Sequence, residues 1–244
     1  MQINIRKTLA AIAVAALSPL ALAQTASISA IKANIERFTQ GQVKIDKVQP
    51  TPVAGIYQVD SEGEIFYSDA SGRYGFVGGS LVDMQTRQDL TAPAQDKLLA
   101  VPFSSLPLHL AIKEVHGDGT RKVAVFEDPN CPICRAFTKF LDELPDVTVY
   151  RFMFPVLDAS SQELARTAWC SADRAGTWRA IMAEGKHPTG PQDCDVSGLV
   201  QILQFAEKNQ VQNTPTVFLG NGKRLVGATP PEQFIAELNA SGQQ

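Results

Sequence analysis

Histidine and tryptophan are scarce in this chain of 244 residues, and none of its four cysteines or three histidines precedes His109. A structural zinc centre needs about four ligands. The sequence holds one C-x-x-C, Cys131-Pro132-Ile133-Cys134, and His109, His116 and His187 are scattered, so no metal site is expected. Nothing in it calls for another cofactor. There is no basic block and the net charge is −3, which makes nucleic acid and anionic lipid poor main partners. Repeats and low-complexity segments are absent too. Beyond residue 23 no apolar run approaches the ~20 residues that span a bilayer, so the mature chain is expected not to insert into membranes.

What is present begins with export. Arg6 and Lys7 form a short basic region, and Leu9 to Leu20 is apolar apart from Ser18 and Pro19. Ala21-Leu22-Ala23 then gives the small-x-small pattern of a cleavage site, so residues 1–23 read as a signal peptide cleaved after Ala23. A membrane anchor is the alternative, and the apolar run is short for one. Losing Arg6 and Lys7 makes the mature chain more acidic.

Residues 24–90 read as a small α+β unit. Ile28, Ile31, Ile35 and Phe38 recur at helical spacing. Short β-type runs (55–59, 64–68 and 74–77) follow, separated by turn residues at Ser61-Glu62-Gly63 and Ser71-Gly72. Such a unit buries little apolar surface alone, and a structural or dimerisation role is expected of it. Residues 91–117 read as a connector with helices over 94–100 and 106–115, interrupted by Pro93, Pro102 and Pro107. Residues 118–244 form the second unit: a strand (122–126), a helix from Cys131 to about Leu144, and a strand (147–154). Three helices (160–171, 177–182 and 198–208), a hairpin (216–219 and 224–226) around Asn221-Gly222, and a helix over 231–238 complete it.

The chemistry centres on Cys131 and Cys134, where a strand gives way to a helix. Three apart on a first turn, both sulfurs lie on one face. Unpaired N–H groups at the helix N-terminus favour a negative charge on the first sulfur. Cys131 is thus expected as the exposed nucleophile, and Cys134, one turn in, as the buried thiol that resolves a mixed disulfide. A purely structural bridge here would close too small a loop to stabilise much. Cys170 and Cys194 remain as a second pair. A structural disulfide is the favoured reading and a second redox pair the alternative. Thr214-Pro215-Thr216 precedes the hairpin; a cis Thr214–Pro215 bond would leave the Thr214 backbone free to pair with an extended peptide, although a trans turn is the commoner case.

Phe126-Glu-Asp-Pro-Asn-Cys-Pro-Ile-Cys-Arg-Ala-Phe137, Ala168-Trp-Cys170, Asn213-Thr-Pro-Thr-Val-Phe218, Gly63-Glu-Ile-Phe-Tyr67 and Gly72-Arg-Tyr74 together resemble the DsbC/DsbG group of periplasmic disulfide isomerases. The resemblance implies an α+β chain with a cystatin-like N-terminal dimerisation domain, a helical linker and a thioredoxin-like domain with a helical insertion. It implies a homodimer in the periplasm, Cys131 and Cys134 as the redox pair, Thr214 and cis-Pro215 facing the sulfurs at the substrate site, and Cys170–Cys194 as a structural disulfide. It also implies misfolded or misoxidised exported proteins as substrates and a DsbD-like membrane reductase as electron donor. Two positions depart from the pattern. Pro132-Ile133 is neither Gly-Tyr nor Pro-Tyr, and Val125 stands where many thioredoxins carry a buried acid, leaving Glu127 as a nearby candidate for proton transfer. Isomerisation is the leading function. A reductase of single oxidised cysteines and a dimeric holdase chaperone with secondary redox activity are the alternatives.

Overall fold

The computed structural model describes residues 27–227 and 229–242; the signal peptide read at 1–23 lies outside them. Helix α1 (Ile28–Phe38) starts because Ser27 caps it, its Oγ accepting from the Ala30 amide. Ile31 and Ile35 are buried against Ile45, Val48 and Val59. The last two belong to a four-stranded antiparallel sheet, β1 (Lys47–Pro50), β2 (Ile56–Ser61), β3 (Glu64–Asp69) and β4 (Gly75–Phe76), in chain order. Glu62 and Gly63, both at positive φ (48° and 84°), make the tight β2–β3 turn. A two-stranded ribbon follows, β5 (Val82–Asp83) with β6 (Gln88–Asp89), and then α2 (Thr91–Leu98).

The connector differs from the sequence reading. Helix α2 begins at Thr91 and takes Pro93 into its first turn, where N–H groups need no partner. Residues 106–115, expected as a helix, instead make a 3₁₀ turn (Leu108–Leu110) and strand β7 (Ile112–His116). Pro107 stops a helix from forming, and the β-branched Ile112 and Val115 pair along β9. The last residues of the expected linker therefore belong to the C-terminal sheet.

That sheet runs β11-β10-β8-β9-β7. Its centre is β8 (Arg121–Glu127), parallel to β9 (Val147–Met153); β10 (Thr216–Leu219), β11 (Arg224–Val226) and β7 are antiparallel to their neighbours. Parallel neighbours need a crossover, supplied between β8 and β9 by α3 (Pro132–Asp142). Phe137 and Leu141 of α3, with Phe234 and Leu238 of α7 (Pro231–Ser241), cover Val123, Val125 and Val149 on one face. The other face carries Phe126 and Phe152, stacked with ring centroids 4.5 Å apart. Three helices inserted between β9 and β10 pack over it: α4 (Ala159–Cys170), α5 (Arg174–Met182) and α6 (Ser197–Lys208). Among the described residues no helix is long and apolar enough to cross a membrane.

The β10–β11 loop, residues 220–223, is closed by the Leu219 amide donating to the Lys223 carbonyl at 3.0 Å. Gly222 sits there at φ 87°, and a Cβ on it would lie 2.7 Å from the Val101 carbonyl oxygen. The connector reaches both units through polar groups, and its Val101, Phe103 and Leu106 are buried in the apolar core of the second. Gln95 Nε2 donates to the Gly63 carbonyl (2.6 Å), the Val101 amide to the Gly222 carbonyl (3.1 Å), and Lys223 Nζ lies 2.9 Å from Asp96 and 2.7 Å from Glu237.

Candidate active site

The apolar strand β8 ends at Glu127, and Asp128-Pro129-Asn130 turns the chain into α3. Cys131 is the N-cap of that helix, its backbone extended (φ −79°, ψ 111°) and its Sγ accepting from the Cys134 amide at 3.2 Å. Pro132 at the first helical position has no N–H to leave unpaired. Both cysteines stand as free thiols. Antiparallel pairing sets Thr216 opposite Phe126, so the chain just before β10 emerges at the same sheet edge as Cys131. The Thr214–Pro215 bond there is cis. The Cys131 thiol faces the Thr214 carbonyl oxygen at 3.6 Å.

Cys131 is less open than the sequence reading held. It keeps 5 % of its surface against 0 % for Cys134, because it is the N-cap of α3 with Thr214 lying over its sulfur. Its neighbour Ile133 is exposed. Burial, followed by the hydrogen bond to Cys131, pushes the Cys134 thiol above the ordinary thiol range.

Cys170 and Cys194 are joined as a disulfide with Cα atoms 5.6 Å apart, tying the end of α4 to the segment before α6. Trp169 Nε1 donates to the Asp195 carbonyl (3.0 Å) and the Arg174 guanidinium stacks on the Trp169 ring (3.7 Å), so the region is braced by packing as well.

Behind the redox helix lies a charged knot of which the sequence reading named only Glu127. Glu127 is fully buried and accepts from Trp178 Nε1 (2.7 Å), Thr138 Oγ1 (3.1 Å) and Arg151 Nη1 (3.5 Å). Arg151 also reaches Glu114 and Asp142, each at 2.6 Å. Glu114, His116 and Asp142 bring ligand atoms within 4.8 Å of one another, but Arg151 and Arg179 already neutralise those carboxylates. Desolvation raises the Glu127 carboxyl above its usual range, against the pull of Arg151. The folded protein therefore holds this proton more tightly than the unfolded chain, and stability falls as pH rises from the ordinary glutamate range through the raised value. Glu127→Gln should lose that part of the decline. Urea unfolding of both proteins at pH 5 and pH 8 checks it; an identical pH dependence would contradict the assignment.

Fold and site together define a class, the thiol–disulfide exchange proteins built on a thioredoxin fold. The sequence profile of the thioredoxin-like domain matches residues 108–242, and that of the disulfide bond isomerase protein N-terminal domain matches residues 22–92. A probable thiol:disulfide interchange protein DsbC of Bordetella avium is 40 % identical over 202 residues, 83 % of this chain and 72 % of that protein. The thiol:disulfide interchange protein DsbC of Escherichia coli K12 is 26 % identical over 201 residues, covering 79 % and 80 %. The crystal structure of a disulfide interchange protein from Neisseria gonorrhoeae, 36 % identical, superposes with a TM-score of 0.53 over 57 % of this chain and 100 % of that one. The chain belongs to the DsbC family of thiol:disulfide interchange proteins.

Proposed function

We propose that the chain rearranges and reduces wrong disulfides in exported proteins, with Cys131 as nucleophile and Cys134 as resolving thiol. One observation carries this assignment: Cys131 Sγ caps α3, receives the Cys134 amide and faces Thr214, while Cys134 is sealed beneath it. The Cys131 thiolate attacks a substrate disulfide. The substrate S–S bond breaks, a Cys131–substrate bond forms, and the departing substrate thiolate takes the electron pair. In isomerisation a second substrate thiolate displaces Cys131, leaving a new substrate disulfide and no net electron transfer. In reduction the Cys134 thiolate attacks Cys131, frees the substrate and closes Cys131–Cys134; a donor dithiol, such as a DsbD-like membrane reductase, then supplies two electrons. The raised Cys134 thiol supports the first branch, since a resolving thiol held protonated attacks slowly and gives the substrate time to rearrange.

The Thr214 backbone beside cis-Pro215 is the substrate-pairing edge in this reading, and Cys170–Cys194 is structural. Residues 24–90 form a homodimer. The exposed Tyr74, Phe76, Val77 and Met84 support this, since exposed large apolar side chains on so small a unit invite a partner, as does the match to the isomerase N-terminal domain. Export to the periplasm with cleavage after Ala23 completes the assignment, supported by the pattern of residues 1–23.

Refolding of scrambled ribonuclease A tests it. The wild-type chain should restore ribonuclease activity and Cys131→Ser should restore none. A mutant as effective as wild type would point to a holdase and remove Cys131 from the chemistry.

A further inference from the structure

Asp128 is fully buried, and among the described residues no cation meets its carboxylate. Four neutral donors do. Oδ1 accepts from the Asn130 amide (2.8 Å) and Ser161 Oγ (2.7 Å), and Oδ2 from the amides of Val156 (2.7 Å) and Leu157 (3.0 Å). The same residue touches the redox pair through its backbone. Its carbonyl accepts from the Cys131 amide at 3.2 Å, and its own amide lies against the Cys134 sulfur and favours the anion there. A second, more exposed bridge runs alongside, Asn130 Nδ2 to Asp158 (3.0 Å) and to Ser160 (2.6 Å).

An ionised carboxylate only accepts hydrogen bonds, whereas a carboxamide must donate from one of its two atoms. In Asn at this position the nitrogen would face either two backbone N–H groups or the Asn130 amide, so at least one buried donor loses its acceptor. The site demands Asp. Yet a buried anion without a counter-ion is costly, and bracing a loop alone does not require one.

We infer that Asp128 is the positioning residue of the redox pair: its carboxylate locks the Asp128–Cys131 turn to the Pro155–Leu157 segment and the start of α4, holding Cys131 Sγ over the Cys134 amide. The arrangement seen is the dithiol form, with that amide donating to Cys131. Loosening the lock therefore weakens the dithiol form relative to the disulfide. Removing a nearby negative charge by itself would do the opposite, because it relieves repulsion of a thiolate. The sign of the effect separates positioning from simple electrostatics.

The inference rests on the proposed Cys131–Cys134 redox pair, but its test reads the pair's dithiol–disulfide equilibrium rather than isomerase activity, so the two can fail separately. The mature chain and its Asp128→Asn and Ser161→Ala variants are equilibrated with reduced and oxidised glutathione. The state of Cys131 and Cys134 is read by alkylation and mass spectrometry, with thermal melting alongside. Asp128→Asn should shift the equilibrium toward the disulfide by roughly fivefold, the weight of one buried hydrogen bond. Ser161→Ala keeps the charge and removes one donor, and should shift it the same way by less. If Asp128→Asn does not fold, Ser161→Ala decides, with a shift of at least about twofold required, well within the value of one such bond. An unchanged equilibrium in the deciding variant, or a shift toward the dithiol, overturns the inference whatever happens to the melting temperature.

Discussion

Replacing Cys134 with alanine should drop insulin reduction to the uncatalysed rate, while the rearrangement of scrambled ribonuclease A persists. Reduction needs Cys134 to attack the mixed disulfide at Cys131, and no other free thiol stands among the described residues to replace it. Isomerisation can proceed on Cys131 alone, because the substrate's own thiolate completes the exchange. Covalent complexes with substrate should accumulate at Cys131 and disappear on adding dithiothreitol. Losing one buried sulfur costs on the order of 1 kcal/mol of stability, so the variant should remain folded. Non-reducing electrophoresis with peptide mapping would locate the link. Reduction of insulin at the wild-type rate would mean that Cys134 does not resolve the intermediate.

The second large effect concerns stability. Converting Cys170 and Cys194 together to alanine should cost about 2–5 kcal/mol. The bond spans 24 residues of sequence, and the chain-entropy account assigns a loop of that size roughly 3–4 kcal/mol. It pins α4 to the approach to α6, two helices that cover Phe126 and Phe152. Insulin reduction at low temperature should survive, because neither sulfur lies on the redox turn. Under mild dithiothreitol, differential alkylation should show an oxidised Cys131–Cys134 pair opening first, since a local active-site disulfide is usually the more oxidising. Loss of activity in the folded double mutant would place the second pair in the chemistry.

Much of the site could be read along the chain because its signals are local. A cysteine ahead of a proline at a helix start with a partner three residues on, and a Thr-Pro before a hairpin, are each short local patterns, although 83 residues separate Thr214 from Cys131. Helix α1 was equally plain from Ile28, Ile31, Ile35 and Phe38. Strand β7 was not, because residues 106–115 form a short apolar run that fits helix or strand equally; only its pairing with β9 decides. The very short β5 and β6 carry too few residues to show a period. Glu127 shows the other limit. Its partners Thr138, Arg151 and Trp178 lie 11, 24 and 51 residues away, and no spacing rule joins them. Asp128 was hidden for the same reason, as it meets Val156, Leu157 and Ser161 only through the fold.

The junction between the two units has a mechanical consequence. Lys223, held between Asp96 and Glu237, is a quarter exposed, and Asp96 more so. Water and dissolved ions compete for such a contact, and at physiological ionic strength charges are screened over about 8 Å. Breaking this ion pair exchanges one set of polar partners for another, while Val101, Phe103 and Leu106 stay buried in the C-terminal core. The strength of this contact is thus set by the surrounding electrolyte: added salt loosens the Asp96–Lys223 tie while leaving either hydrophobic interior as it is.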